Sequence, residues 1–279
     1  MSKPRNVARI VRSQVASDGA GVKLRRSIGM GDISELDPFL LLDNFGTENP
    51  DDYIAGFPEH PHRGFETVTY MIAGQMRHKD STGAEGVLGP GSVQWMTAGR
   101  GIVHSEMPEQ REGEMSGFQL WVNLPAKDKM CAPRYQNIDP EDVPIAVLGD
   151  VSIRVLAGDV ITDDGVVRGP ISDVAVDPVY IDVTLSHGSS YSHDIEPGHT
   201  AFAYVFQGSA VVAGTVVDQH HLAILSDGDS VDVSSATGGR LILVAGRPIG
   251  EPVARYGPFV MNSFEEIQQA VQDFQTGNF

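Results

Sequence analysis

HPHRGFETVTY, residues 60–70, decides the reading of this chain together with a second stretch, GIVHSEMP, residues 101–108. His60 and His62 stand two residues apart, and so do His104 and Glu106. Side chains alternate between the two faces of an extended strand, so each pair shares a face. Two such pairs on two strands can meet. Three imidazoles and one carboxylate then make a site for a divalent transition metal, with iron, nickel, copper and zinc all suited to imidazole. Four protein ligands on an ion that prefers six leave two positions open, which points to chemistry or ligand binding rather than a purely structural ion. The plainer alternative is a loop at Pro61 in which His60 and His62 cap turns while His104 and Glu106 form a solvated pair. Glycine-rich turns flank both pairs and favour the site.

Outward from the two pairs the pattern is that of many short strands. TVTYMIAG, QMRHKDS, GVLGPGSVQWMTAG and GFQLWVNLP are punctuated by glycine and show no long helical period, as expected of an antiparallel sandwich or barrel. Upstream, NVARIVRSQV and GVKLRRSIG alternate around SDGAG and predict a hairpin-like pair of strands within residues 5–30. Downstream, the polar, proline-bearing run from about Pro125 to Pro144 reads as a linker. A second β-rich block follows it, and Tyr204–Gly208 echoes Tyr70–Gly74 while Asp229–Asp232 echoes Gly91–Gln94, which suggests an internal duplication. Carrying the offsets through puts the places of His60 and His62 at Asp194 and Glu196, and those of His104 and Glu106 at Ile242 and Val244. Two ligand positions have thus become apolar, so the second half is expected to hold no metal. The last element is a helix: Ser263 and Glu266 fit a capping box, and Phe264, Ile267, Val271 and Phe274 recur on one face.

Other polar residues carry weaker signals. Glu66, four residues after His62, is open to three readings: a fifth ligand, an acceptor for a ligand imidazole N–H, or an outward carboxylate. The second is preferred. His78 sits among charges and is expected on a solvated face. His187, His193, His199, His220 and His221 do not repeat the paired spacing and are expected in surface or hydrogen-bonding roles. Trp95, Met96, Phe118 and Trp121 are expected to pack the barrel, with some of them lining an apolar pocket over the metal.

The chain has 279 residues, 41% of them hydrophobic, enough for one large β domain or two ordinary ones. With 20 Lys and Arg against 37 Asp and Glu its formal charge is −17, which opposes a phosphate backbone or an anionic membrane. Neither nucleic acid nor membrane is an expected partner. Cys131 is the single cysteine, so no internal disulfide forms, and it has no basic neighbour in sequence to make it a nucleophile. The N-terminal stretch has no apolar leader, and a cytoplasmic location is expected.

HPHRGFETVTY, GSVQWMTAGRGIVHSEMP, FQLWVNLP and RYGPFVMNS together resemble the pirin family of the bicupin fold, over nearly the whole chain. The resemblance implies an all-β protein: two cupin (jelly-roll) barrels in tandem with a short C-terminal helix. On that basis residues 1–130 are the metal-binding barrel, 131–145 a linker, 146–262 a degenerate barrel and 263–279 the helix. The family's iron ligands match His60, His62, His104 and Glu106, whereas the usual cupin carboxylate would fall at Glu66. Fe(II) is the implied metal, with Ni, Cu, Zn, Mn and Co as alternatives. Several pirins resemble quercetin 2,3-dioxygenases, which open a flavonol with O2 and release CO. On that reading the partners are O2 and a small aromatic substrate, and Glu106 is the catalytic base. Others in the family act as iron-dependent, redox-responsive partners of regulatory proteins, so a protein partner is the alternative expectation. Fold and metal site alone do not separate the two roles.

Overall fold

The computed structural model describes residues 3–279. It divides into two compact units: Val15–Pro140 with Ile249–Phe279, and Met1–Gln14 with Glu141–Pro248, the described part of the latter starting at residue 3. Strands dominate both units.

In the first unit a seven-stranded antiparallel sheet runs in the order Arg134–Ile138, Val93–Thr97, Phe65–Ala73, Met115–Asn123, Phe39–Thr47, Val22–Ile28 and Gln14–Asp18. A four-stranded sheet, in the order Phe57–His62, Ile102–Pro108, Met76–Asp80 and Glu85–Leu88, completes this barrel. Phe57–His62 is an edge strand, where Pro58 and Pro61 remove no ladder donor that a second neighbour needs. The helix Phe264–Thr276 starts at the expected capping box, Ser263 with Glu266, and buries Ile267 and Ala270 against Ala254, Phe259 and Met261. Its expected apolar face is only partly covered: Phe264 is 68% exposed.

The second unit repeats the arrangement. Its long sheet path is Val7–Arg12, His221–Leu225, Thr200–Val212, Gly239–Gly246, Val179–Leu185, Val151–Ala157 and Ile145–Leu148. Ser189–Asp194 pairs Ser230–Ser235, which pairs the far end of Thr200–Val212, and that end pairs Thr215–Asp218. Strand for strand, the order matches the first unit and supports the duplication.

Three boundaries differ from expectation. Val7–Arg12 does not form a hairpin with its neighbours but pairs with His221–Leu225, in the second unit, while Gln14–Asp18 lies beside Val22–Ile28 in the first. The alternating pattern runs unbroken through Ser13, so nothing local marks the switch; Ser13 bonds the carbonyl of His220 through both its N–H and its hydroxyl. The expected linker contains a strand, Arg134–Ile138, paired with Val93–Thr97. Ile249–Met261 returns to the first unit, where the Asp37 carboxylate accepts from the N–H groups of Ile249 and Gly250.

The duplicate positions also change. By topology Ile102–Pro108 corresponds to Ser230–Ser235, not to Gly239–Gly246 where Ile242 and Val244 lie. His104 faces His60, and Ile102 faces His62; the equivalent inward pairs are Val233 with Tyr191 and Val231 with His193. The counterparts of His60, His62, His104 and Glu106 are therefore Tyr191, His193, Val233 and Ser235. The count misled because both Val93–Thr97 and Ser230–Ser235 begin near a Ser-Val after a turn, a pattern too short to fix register.

Candidate metal centre

His60 and His62 project from the edge strand Phe57–His62, and His104 and Glu106 from its neighbour, with His60 directly across from His104. Cross-strand partners lie close enough for their side chains to touch. The chain then turns sharply after His62. Gly64 makes this turn at φ 86°, where a side chain is strained, and a Cβ there would sit 2.0 Å from the carbonyl oxygen of Val260. The turn is held from below by the buried ammonium of Lys129, which donates to the carbonyl oxygens of Gly64 and Val260 and to Asn123 Oδ1.

The three imidazoles converge. Their nitrogens fall within 4.8 Å of one another, and His60 Nε2 lies 3.0 Å from both His62 Nε2 and His104 Nε2. His60 Nδ1 donates to the carbonyl of Pro58 at 2.8 Å, so in the neutral ring Nε2 carries the lone pair that faces the other two. His62 and His104 are buried, and burial first, then the neighbouring imidazoles, hold both well below the usual histidine range. They are neutral at pH 7, the form a metal requires. The Nδ1 atom of His104 is buried with no protein partner.

A divalent metal fits this set. Two nitrogens at right angles, each about 2.1 Å from a common ion, are about 3.0 Å apart. Glu106 is not one of the three side chains within the 4.8 Å set, although it is buried at the same cavity two residues beyond His104. Its Oε1 lies 3.0 Å from Thr69 Oγ1, and its Oε2 accepts from Gln119 Nε2 at 3.4 Å. Thr69 Oγ1 also lies 2.7 Å from Gln119 Oε1. One hydroxyl proton cannot serve both oxygens, so Thr69 donates to one of them at a time.

A cavity of about 530 Å³ opens above these residues. Leu41, Phe45, Phe57 and Trp121 give it apolar walls, and His60, His62, Thr69, Glu106 and Gln119 line its metal end. Trp121 packs edge-on against His62, with ring centroids 5.3 Å apart. Trp95, Met96 and Phe118 are buried and stand outside the cavity lining, so of the four expected packing residues only Trp121 reaches the pocket.

Two expectations are corrected. Glu66 does not accept from a ligand imidazole. The turn at Gly64 breaks the strand, so the four-residue spacing no longer means one face, and the buried carboxyl accepts from Thr97 Oγ1 at 2.7 Å instead. Burial pushes the Glu66 carboxyl up. His78 is not solvated: it is buried across from Glu106, its ring centroid 5.2 Å from that of His104 and its Nε2 3.1 Å from the Tyr135 hydroxyl. The signal was present in MRHKD, where Met76, His78 and Asp80 share one face. Among the second-half histidines, His193 is buried and hydrogen-bonded to the Tyr191 hydroxyl at 2.7 Å, and His221 Nδ1 lies 3.0 Å from the carbonyl of Gln219.

A tandem of two cupin barrels, one with three converging imidazoles opening on a cavity, defines the class of this molecule. The chain belongs to the pirin family: residues 21–122 match the Pirin family model, and residues 180–279 match the Pirin C-terminal cupin domain. It is 51% identical over 276 residues to a pirin-like protein of Caulobacter vibrioides, with 99% of each chain covered. A Pseudomonas aeruginosa protein, named provisionally as a quercetin 2,3-dioxygenase, is 49% identical over 283 residues, again with 99% of each covered. Among solved structures, a quercetin 2,3-dioxygenase from Acinetobacter baumannii superposes with a TM-score of 0.90 at 33% identity, covering 99% of both chains. No helix among the described residues is long and apolar enough to cross a membrane.

Proposed function

We propose that this chain is an Fe(II)-dependent dioxygenase that opens the ring of quercetin or a similar flavonol with O2 and releases CO. The observation that carries this reading is the meeting of three imidazoles, two of them buried and neutral, in an apolar cavity that the buried Glu106 carboxylate also lines. The names of the Pseudomonas and Acinetobacter relatives support the choice of reaction. His60, His62, His104 and Glu106 are the residues we assign to the metal, and nitrogen with carboxylate donors suits iron as well as Ni, Cu, Zn, Mn or Co. When bound there, the ion would supply Lewis acidity and open coordination positions for the reaction of the substrate with O2.

The chain's own part is to dry, orient and deprotonate the substrate. Leu41, Phe57 and Trp121 exclude water and present flat apolar surface to an aromatic ring. Glu106 accepts the proton of the substrate's enolic hydroxyl, and Thr69 and Gln119 fix the direction of its carboxylate. The single cysteine, partly buried, fits a reducing compartment, and we place the reaction in the cytoplasm.

The test is aerobic incubation of anaerobically Fe(II)-reconstituted protein with quercetin, following O2 uptake and CO release against His62→Ala. Metal-dependent CO from the unmodified chain and none from the variant is the expected result. No CO from protein shown to hold iron would overturn the flavonol assignment.

A further inference from the structure

The first barrel's cavity is lined by an unusual set of charges. Asp18 and Asp43 both line it, and both are held by Arg26: its Nε and Nη2 grip the two oxygens of Asp43 at 2.7 and 2.6 Å, and Nη2 also reaches Asp18 at 2.5 Å. Glu59 is exposed at the rim, and Glu106 is engaged by Thr69 and Gln119 at the metal end. Arg255 lines the same cavity and has no such partner. Its guanidinium lies over the Trp121 ring, Cζ 4.7 Å from the centroid, and its Nη1 donates to the carbonyl of Leu40 at 3.2 Å. Among the described residues no carboxylate forms a salt bridge with it.

A half-buried guanidinium with spare N–H donors is a recognition group for a planar oxyanion. The contact with Trp121 and the bond to Leu40 remove much of the rotamer freedom that an exposed arginine would lose on binding. The surrounding protein is strongly acidic, so without a dedicated cation an anionic ligand would be repelled from this cavity. Asp18, Asp43 and Glu35 act on Arg255 through space, and Arg26 offsets only part of their charge, but none of them lies within ion-pair distance of the Arg255 guanidinium, whose donors stay open to a ligand. Burial, and then the charge of Arg26, pull the Arg255 guanidinium down from its usual range, and it remains protonated at any physiological pH.

We propose that Arg255 determines specificity by binding a carboxylate or phenolate carried by the substrate beside Trp121, at a position separate from the oxygen directed to the imidazoles. The substrate class is thereby narrowed to planar enolic aromatics with an anionic oxygen substituent. This inference rests on the flavonol-type reading for the metal end. It assigns Arg255 and Trp121 to recognition and leaves proton transfer to Glu106.

The experiment is calorimetric binding to the metal-loaded protein without O2, using 3-hydroxyflavone and its 4′-carboxylate. The unmodified chain is expected to bind the carboxylate about 10-fold more tightly or better, the size of one charge-assisted hydrogen-bonded pair in a partly dry site. Arg255→Gln should abolish that preference while leaving the uncharged flavone within about twofold. Arg255→Lys should keep part of it, because it keeps charge and loses the planar fork. Equal affinity of the unmodified protein for both probes overturns the inference, as does an equal loss of both in Arg255→Gln, which would make Arg255 a packing residue for Trp121. Turnover with O2 is scored separately. CO release with no carboxylate preference removes this inference alone, preference without CO removes the ring-opening reaction alone, and failure to bind either probe removes both.

Discussion

The two barrels share one strand order and differ in what fills the sheet that carries the ligands. In the first, the inward faces of Phe57–His62, Ile102–Pro108 and Met76–Asp80 present His60, His62, His104, Glu106, His78 and Asp80. In the second, the equivalent faces present Tyr191, His193, Val231, Val233, Ala210 and Val212, all of which except His193 join one large cluster with residues such as Ile181, Val205 and Leu243. His193 is the one imidazole kept at a ligand-equivalent place, and Tyr191 is bonded to it where a second would be needed. Its Nε2 is buried with no partner. Duplication therefore left one barrel to tolerate converging polar groups and the other to be a dry core, a division of stability from chemistry within one fold.

That division is sharpened first at Glu106. Glu106→Gln keeps size and hydrogen bonding but cannot take a proton, so turnover of quercetin should fall by about 10²-fold or more while most of the iron is retained. Unchanged turnover would remove Glu106 from the reaction. The opposite change belongs in the other barrel. Leu243→Ala should lower stability in denaturant unfolding by about 2–5 kcal/mol, through lost burial and a residual cavity, with metal content and KM unchanged.

A third contrast lies in pH. Burial pulls the His193 imidazole down to about 4, from 6.5 when free. Between those values the unfolded chain binds a proton that the folded chain refuses, so stability falls as pH falls from 6.5 toward 4. The loss amounts to about 3 kcal/mol in total, at no more than about 1.4 kcal/mol per pH unit. His193→Phe should flatten this part of the stability profile, and an unchanged slope would show that His193 is not the group responsible. The smallest effect is expected at Thr69→Val. It removes the hydroxyl at Glu106 and should reduce kcat by about 10-fold, leaving iron affinity within a few-fold.

Much of the fold was readable because it is local. Alternation, glycine turns and two i, i+2 pairs fix strand existence and the facing of side chains without knowledge of partners. The capping box at Ser263 and Glu266 is equally local, and it holds. What could not be read depends on pairing across distance. Val7–Arg12 carries the same alternation as the strand that follows it, and only its ladder with His221–Leu225 assigns it to the other unit. Glu66 looked like a neighbour of the ligands because a regular strand was assumed through Gly64, where the chain turns. His78 looked solvated because Arg77 and Lys79 flank it, yet in a strand the flanking residues face the other way. Arg255 sits far along the chain from both histidine pairs, and no spacing links it to Trp121.

The most direct test of the difference between the barrels is an anaerobic Fe(II) titration with metal analysis, run on the unmodified chain, on His60→Ala/His62→Ala/His104→Ala and on His193→Phe. One ion per chain, lost in the triple variant and retained in His193→Phe, is the predicted result. Two ions per chain, or one that survives removal of all three first-barrel imidazoles, would contradict it.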